Sequence, residues 1–140
     1  MTTQVFMLDT DIVSYIVSGR SHSARTRLAG IDAAQICVSV ITRAELVYGL
    51  KRLPSGHPLH AGVRGFLDRT TIQAWDGAAA DIHADLRHQL QSTSRGIGEL
   101  DLMIAAHAIA LDAVLVTNNT RHFGRIAPPL LLENWALPPD

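Results

Sequence analysis

Thirteen acidic residues are spread along this chain, and a few of them stand where carboxylates do chemistry rather than aid solubility. Asp9 and Asp11 flank Thr10 in VFMLDTDIV, directly after the apolar run Val5, Phe6, Met7 and Leu8. Such a run reads as a strand with no polar face, which puts Asp9 at its carboxyl end, where open parallel sheets have their ligand crevices. Only three glutamates exist, and two lie at comparable junctions: Glu45 follows the strand-like ICVSV, and Glu99, with Asp101, opens the apolar LMIAAHAIAL. Asn119 follows AVLVT. Four elements therefore deliver oxygen ligands toward what could be one edge of one sheet. Clustered carboxylates with no lysine nearby cannot all stay ionised without a counter-charge, and the neutraliser that suits them is a hard divalent cation. Magnesium or manganese takes oxygen ligands, keeps several waters and serves phosphoryl chemistry.

Each residue also has a purely structural explanation. Asp11 can cap the helix it opens. Thr42 and Glu45 match the capping box S/T-x-x-E, although that requires a late helix start; with Ser39 as the cap, Glu45 falls inside the helix, where an unpaired carboxylate needs a reason. Asp101 suits the first turn of a helix, and Asn119 is another candidate cap. Taken together, these separate explanations do not account for convergence on one rim.

The elements that must position these groups follow from periodicity. After the first strand, DIVSYIVS is apolar at helical spacing, and HSARTRLAG continues as a short helix ending at Gly30. QICVSV is a strand and ITRAELVYGLKRL a helix. HPLHAGVRGFLDR reads as a helix with Pro58 in its first turn, weakened by Gly62 and Gly65. TIQAW is a short strand, Asp76 a cap, and GAAADIHADLRHQLQ a long helix. SRGIG breaks the chain before the most apolar helix, LDLMIAAHAIALD. AVLVT is a strand, NNTRHFGRI a helical turn, and LLLENW a last strand before a proline-rich end. Strands alternating with helices give an α/β class with a parallel sheet covered on both faces.

Composition narrows the function. At 140 residues the chain is one domain by size, and 47% hydrophobic with 18% charged residues is a globular balance. No basic leader opens it, and its longest apolar stretch is too short to span a bilayer, so a soluble, cytoplasmic protein is expected. Cys37, the single cysteine, excludes an intrachain disulfide and a thiolate zinc site. The formal net charge of -1 announces no nucleic-acid partner, although the basic residues are almost all arginine, with Lys51 the one lysine. His57 and His60 form H-x-x-H without partner ligands, which leaves zinc there unsupported. No G-x-S-x-G, P-loop or G-x-G-x-x-G occurs.

Several spaced segments together resemble the PIN-domain ribonucleases, specifically the VapC-type toxins of bacterial toxin–antitoxin pairs. They are MLDTDI, SVITRAELVYG, DLMIAAHAIA, and LVTNNTRHFGRI running into LLLENW, in order and over nearly the whole chain. The resemblance implies a single PIN domain over residues 1–140, folded as a doubly wound α/β/α sandwich with a mainly parallel central sheet. It also implies an endoribonuclease dependent on Mg2+ or Mn2+, with in-line attack of a metal-activated water on a phosphodiester. By position, Asp9, Glu45 and Asp101 match the catalytic acids and would hold the metal. Asn119 stands where many members carry a fourth aspartate, so that ligand is neutral here, and His122 where some carry an acid. Asp11 occupies a position often held by asparagine, Thr10 is the hydroxyl between the two aspartates, and Glu99 is auxiliary. The implied partners are a VapB-type antitoxin and a second copy of the chain. Similarity to the toxins that cut initiator tRNA makes a tRNA anticodon stem-loop the expected substrate.

Two other readings fit the opening stretch. The D-x-D pattern resembles haloacid-dehalogenase-type phosphotransferases, with Asp9 as nucleophile and Asp11 as acid/base. That reading needs a downstream lysine and a late pair of acids, where this chain has Asn118 and Asn119. A non-enzymatic, receiver-like metal-binding module lacks the same lysine.

Overall fold

A computed structural model describes residues 3–91, 97–126 and 130–137. Five short strands form one sheet: β1 (Phe6–Leu8), β2 (Ile36–Ser39), β3 (Thr71–Gln73), β4 (Val114–Val116) and β5 (Leu131–Glu133). Their order is β3-β2-β1-β4-β5, and every adjacent pair is parallel. Seven helices accompany them among the described residues: α1 (Thr10–Ser18), α2 (His22–Ala29), α3 (Val40–Lys51), α4 (Leu59–Arg69), α5 (Gly77–Gln91), α6 (Glu99–Ala110) and α7 (Thr120–Phe123). A turn of 3-10 helix at Ala33–Gln35, which periodicity does not announce, leads into β2. The break expected at residues 94–98 falls outside the described residues apart from Ile97 and Gly98, and the chain beyond residue 137 lies outside them too.

The side chains of the central strands alternate between two cores, as the pleat requires. Leu8, Ile36, Val38, Val114 and Val116 face one layer, where Ile12, Ile16, Leu46, Leu50, Phe66 and Trp135 close around them. Met7, Cys37 and Leu115 face the other, packed against Leu86, Leu102, Ile104, Ala105 and Phe123. Buried on both faces, the strands need no polar residue, which is why FML, ICV and VLV read as continuous apolar runs. Cys37 is a buried core residue whose thiol is pushed up to about 11 by burial. The result is the doubly wound three-layer sandwich.

The chain winds from β1 outward through β2 to β3, then returns to place β4 on the other side of β1. The direction of winding therefore reverses between β1 and β4, and the crevice beyond their carboxyl ends is the topological switch point where such sheets bind ligands. Leu8 pairs with Val116 in the register. The next residues, Asp9 and Thr117, emerge side by side at that point.

Helix boundaries decide which acids are caps. Asp9, not Asp11, is the N-cap of α1, accepting from the Thr10 amide at 2.8 Å, and Gly19 ends that helix with φ 78°, a left-handed conformation glycine adopts without penalty. Ser39 caps α3 through the Ile41 amide at 3.1 Å, so Thr42 and Glu45 form no capping box and Glu45 sits inside the helix. Asp76 caps α5 as expected, through the Ala79 amide at 3.2 Å. His57 of the H-x-x-H pair accepts from the Leu59 amide at 3.1 Å at the start of α4, a structural role.

The two glycines of α4 behave oppositely. A Cβ on Gly62 would lie 2.6 Å from Val17 Cγ1 of α1, whereas one on Gly65 would meet only the flexible end of Arg69, at 3.1 Å. Gly62 is thus a close-approach residue between α1 and α4. In thermal melts, Gly62→Ala is expected to destabilise by about 1 kcal/mol net, the overpacking outweighing the gain in helix propensity. Gly65→Ala is expected to stabilise by up to about 1 kcal/mol, and Val17→Ala should relieve much of the Gly62→Ala loss.

Candidate active site

Asp9 is 4% exposed, and both of its carboxylate oxygens are engaged. Oδ1 accepts from the Thr10 amide and Oδ2 from the Thr117 hydroxyl, each at 2.8 Å, while the Asp9 amide donates to Val116 O at 2.8 Å. Thr117, itself fully buried, also accepts from the Asn119 amide at 3.0 Å. The carboxylate is thereby fixed in place by groups from both strands of the switch point.

These hydrogen bonds favour the charged form, yet the carboxyl is pushed up to about 7. Burial is the main cause, with the charges of Asp11 and Asp101 adding to it. Asp11 is also raised, first by burial and then by Asp101, against the backbone amides of Ile12 and Asn118; the latter donates to Asp11 Oδ2 at 3.2 Å. Its other oxygen, Oδ1, is buried with no hydrogen-bond partner. Asp101 is raised by burial and lowered by His122, whose Nε2 lies 3.4 Å from Asp101 Oδ2 but is poorly aligned for a hydrogen bond. The structure thus brings Asp9, Asp11 and Asp101 within one another's fields, with His122 beside the third.

Glu45 joins from the α3 side. Its Oε1 accepts from the Thr10 hydroxyl at 2.6 Å, so the threonine between the two aspartates ties the second acid element to the first. Thr42 stands one turn before it, its hydroxyl 3.5 Å from that of Thr10. Ser39, the α3 cap, is also held from below: its hydroxyl lies 2.7 Å from Nδ1 of the buried His107 of α6, whose own protonation is disfavoured chiefly by burial.

Two expected residues lie differently. Glu99 turns to α5, with Oε1 2.8 Å from His83 Nε2 and 3.9 Å from Arg87, so it does not join the carboxylate group. On a helix, residues two apart face away from each other, so Glu99 and Asp101 cannot share a target. Asn119 occupies the N-cap position of α7 without making a side-chain cap bond and is exposed. The asparagine that touches the acids is Asn118, through its amide to Asp11 and its side chain to Tyr15 and Asn134. Thr117 and Asn118 were missed by sequence reasoning; the signal for Thr117 was its place at the end of AVLVT, level with Asp9 once β1 and β4 are neighbours.

Among the described residues, no three His, Cys, Asp or Glu side chains stand close enough to enclose an ion by themselves. The arrangement is an open half-shell: mutually repelling carboxylates, one buried oxygen without a partner, and a rim open to water. That donor set fits a cation which keeps much of its hydration and is held by one or two carboxylates, as Mg2+ characteristically is.

Residues 6–128 match the family described as PIN domain. The chain belongs to the PIN-domain family. It is 34% identical to the tRNA(fMet)-specific endonuclease VapC of Shigella flexneri, over 94% of this chain and 98% of that one. It is 37% identical to Ribonuclease VapC2 of Haemophilus influenzae, over 93% and 97%. Among solved structures, VapBC2 from Rickettsia felis, bound to a DNA fragment from its promoter, superposes with a TM-score of 0.86 at 36% identity, covering 94% of this chain and 99% of that one. VapC proteins are thus full-length relatives of this PIN domain. Nothing favours the phosphotransferase or receiver readings: the single lysine, Lys51, is an exposed residue ending α3.

The charge cluster has a consequence for stability. Unfolded, Asp9 titrates near 3.8; folded, near 7, so between these values the native state holds a proton the unfolded chain has released. Stability is therefore lost as pH rises through that window, by a few kcal/mol, and stays lost above it. Without metal, Asp9→Asn is expected to match wild type in melting temperature near pH 4 and to exceed it at pH 8. Equal melting temperatures at pH 8 would show that the carboxylate carries no such penalty.

Proposed function

We propose that this PIN domain is a Mg2+- or Mn2+-dependent endoribonuclease and the toxin of a type II toxin–antitoxin pair, with tRNA as its substrate. The observation that carries the reading is the meeting of Asp9, Asp11 and Asp101 at the β1/β4 switch point, in a chain whose full-length relatives are named ribonucleases. Asp9, Asp101 and Glu45 are the residues assigned to hold the metal, one or two of them directly, since no three described acids group closely enough to do so together, with Asp11, through its unpartnered oxygen, as a further candidate. When bound, such an ion lowers the pKa of water for in-line attack on a phosphodiester and neutralises the charge that develops on phosphate. The chain's own part is positional. Thr117 and the Thr10 amide hold Asp9 rigid, Thr10 links Glu45 to it, and His122 stands where it can steady Asp101 or donate to a phosphate oxygen.

The name of the Shigella relative points to initiator tRNA as the substrate, and the titles of the VapBC structures to an antitoxin partner. A group of half-buried carboxylates around the buried Asp9 suits an antitoxin segment bearing an arginine, whose guanidinium fork would exclude metal and RNA together. The active toxin is proposed to be a homodimer acting in the cytoplasm; no described helix is long and apolar enough to cross a membrane.

The test is incubation of purified protein with total tRNA and Mg2+, followed by mapping of the cut ends. Discrete cuts in one or a few tRNAs are expected, abolished by chelation and by Asp9→Asn or Asp101→Asn in chains that remain folded. Full activity in either variant, at matched protein level, would remove the assigned site.

A further inference from the structure

Beside the acids, a groove of about 460 Å³ runs between α3 and the start of α6. At one end are Thr10 and Glu45, bonded to each other; along its length are Tyr48 and Gly49 of α3 and Arg52, its C-cap, and Leu100, the neighbour of Asp101, forms the facing wall. Glu45, Tyr48, Gly49 and Arg52 fall at i, i+3, i+4 and i+7, one continuous helical stripe leading away from the carboxylates.

This stripe is unlike an ordinary solvated helix face. Tyr48 is 64% exposed and Leu100 48%, so two large apolar groups are left open to water on either side of the groove. Nothing stands within 4 Å of where a Cβ on Gly49 would lie, so the floor between them is open. The Arg52 guanidinium lies over one face of the Tyr48 ring, its carbon 6.0 Å from the centroid, which leaves the other face free to stack, and it has no carboxylate partner among the described residues. The Glu45 carboxylate, the Tyr48 ring and the Arg52 guanidinium, which lies over one face of that ring, thus follow one another along α3 to its C-cap.

We propose that this groove holds one nucleotide of the RNA beside the scissile bond, its base stacked on Tyr48 and its phosphate held by Arg52. This rests on the nuclease reading and identifies a substrate contact of the same site. The chemistry favours single-stranded nucleic acid: every base offers a π-face to an aromatic platform without sequence readout, and a guanidinium suits a phosphate. It also resolves an electrostatic problem, since an acidic cluster alone repels a polyanion, while Arg52 supplies attraction at a point the carboxylates leave free. Stacking demands an unpaired base, so the groove selects loops over duplex stems.

The test uses the full chain in two assays: steady-state cleavage of tRNA with Mg2+, and binding of a short single-stranded oligoribonucleotide without divalent cation. Tyr48→Ala is expected to raise KM about tenfold, with kcat held within about twofold. Tyr48→Phe should keep the wild-type KM, because the ring face rather than the hydroxyl makes the contact. Arg52→Ala should weaken binding and reduce the slope of log affinity against log salt by about 0.7. Unchanged KM and affinity in Tyr48→Ala, with tRNA still cut, would overturn the subsite and leave the nuclease reading intact. Failure of the wild type to cut RNA would overturn the nuclease reading and the subsite with it. If Tyr48→Ala instead converts a dimer to a monomer in sedimentation at unchanged RNA affinity, the face belongs to a second copy of the chain and the proposal is wrong.

Discussion

A carboxylate cannot be both dry and charged at low cost unless something of opposite charge stands beside it. Asp9 is nearly sealed from water, lies in the fields of Asp11 and Asp101, and is nonetheless held in one orientation by Thr117 and the Thr10 amide. The hydrogen bonds fix where the charge will be without offsetting burial and repulsion. Much of the local architecture serves this stored tension. Two parallel strands must be neighbours for Asp9 and Thr117 to meet, and α1 must start at Thr10 so that Asp9 caps it. Such an arrangement weakens the fold at neutral pH, and a cation bound there, as proposed, would relieve it.

The layout of the acids follows from the winding of the sheet. Because the direction reverses between β1 and β4, the segments leaving those strands diverge and open a crevice, and α6 and α3 bring Asp101 and Glu45 to its flanks. Thr10 does double duty, its amide turned to Asp9 and its hydroxyl to Glu45. Beneath α3, the Ser39–His107 contact ties the cap of that helix to α6, so the elements carrying Glu45 and Asp101 are coupled through the protein interior.

The parts of this that are local in sequence were legible there. The apolar runs FML, ICV and VLV announce strands buried on both faces, and Asp9 at the end of the first is a placement that needs no tertiary information. Ser39 as the cap of α3, and hence Glu45 inside it, was one of two readings that spacing alone left open; the choice depends on where the helix leaves the sheet. What could not be read depends on pairing across the chain. Thr117 matters because β4 lies beside β1, and Asn118 reaches Asp11 because of that same register. Glu99 looked equivalent to Asp101 in the linear sequence, but a helix starting at Glu99 turns it toward His83. The resemblance to VapC toxins carries the order of the motifs rather than their contacts, so it picks out neither Thr117 nor Asn118.

Burial and its neighbours keep Asp9 protonated part of the time near neutral pH, and a divalent cation bound there, as proposed, would have to displace that proton. Calorimetric titration of the metal-free protein with Mg2+, run in buffers of different ionisation enthalpy, counts the protons displaced. With the Asp9 carboxyl near 7, binding at pH 7 should release about half a proton per ion, and the release should vanish at pH 9 and in Asp9→Asn. Binding at pH 7 with no proton release, or with a release that Asp9→Asn leaves unchanged, would show that the ion does not take the place of the Asp9 proton.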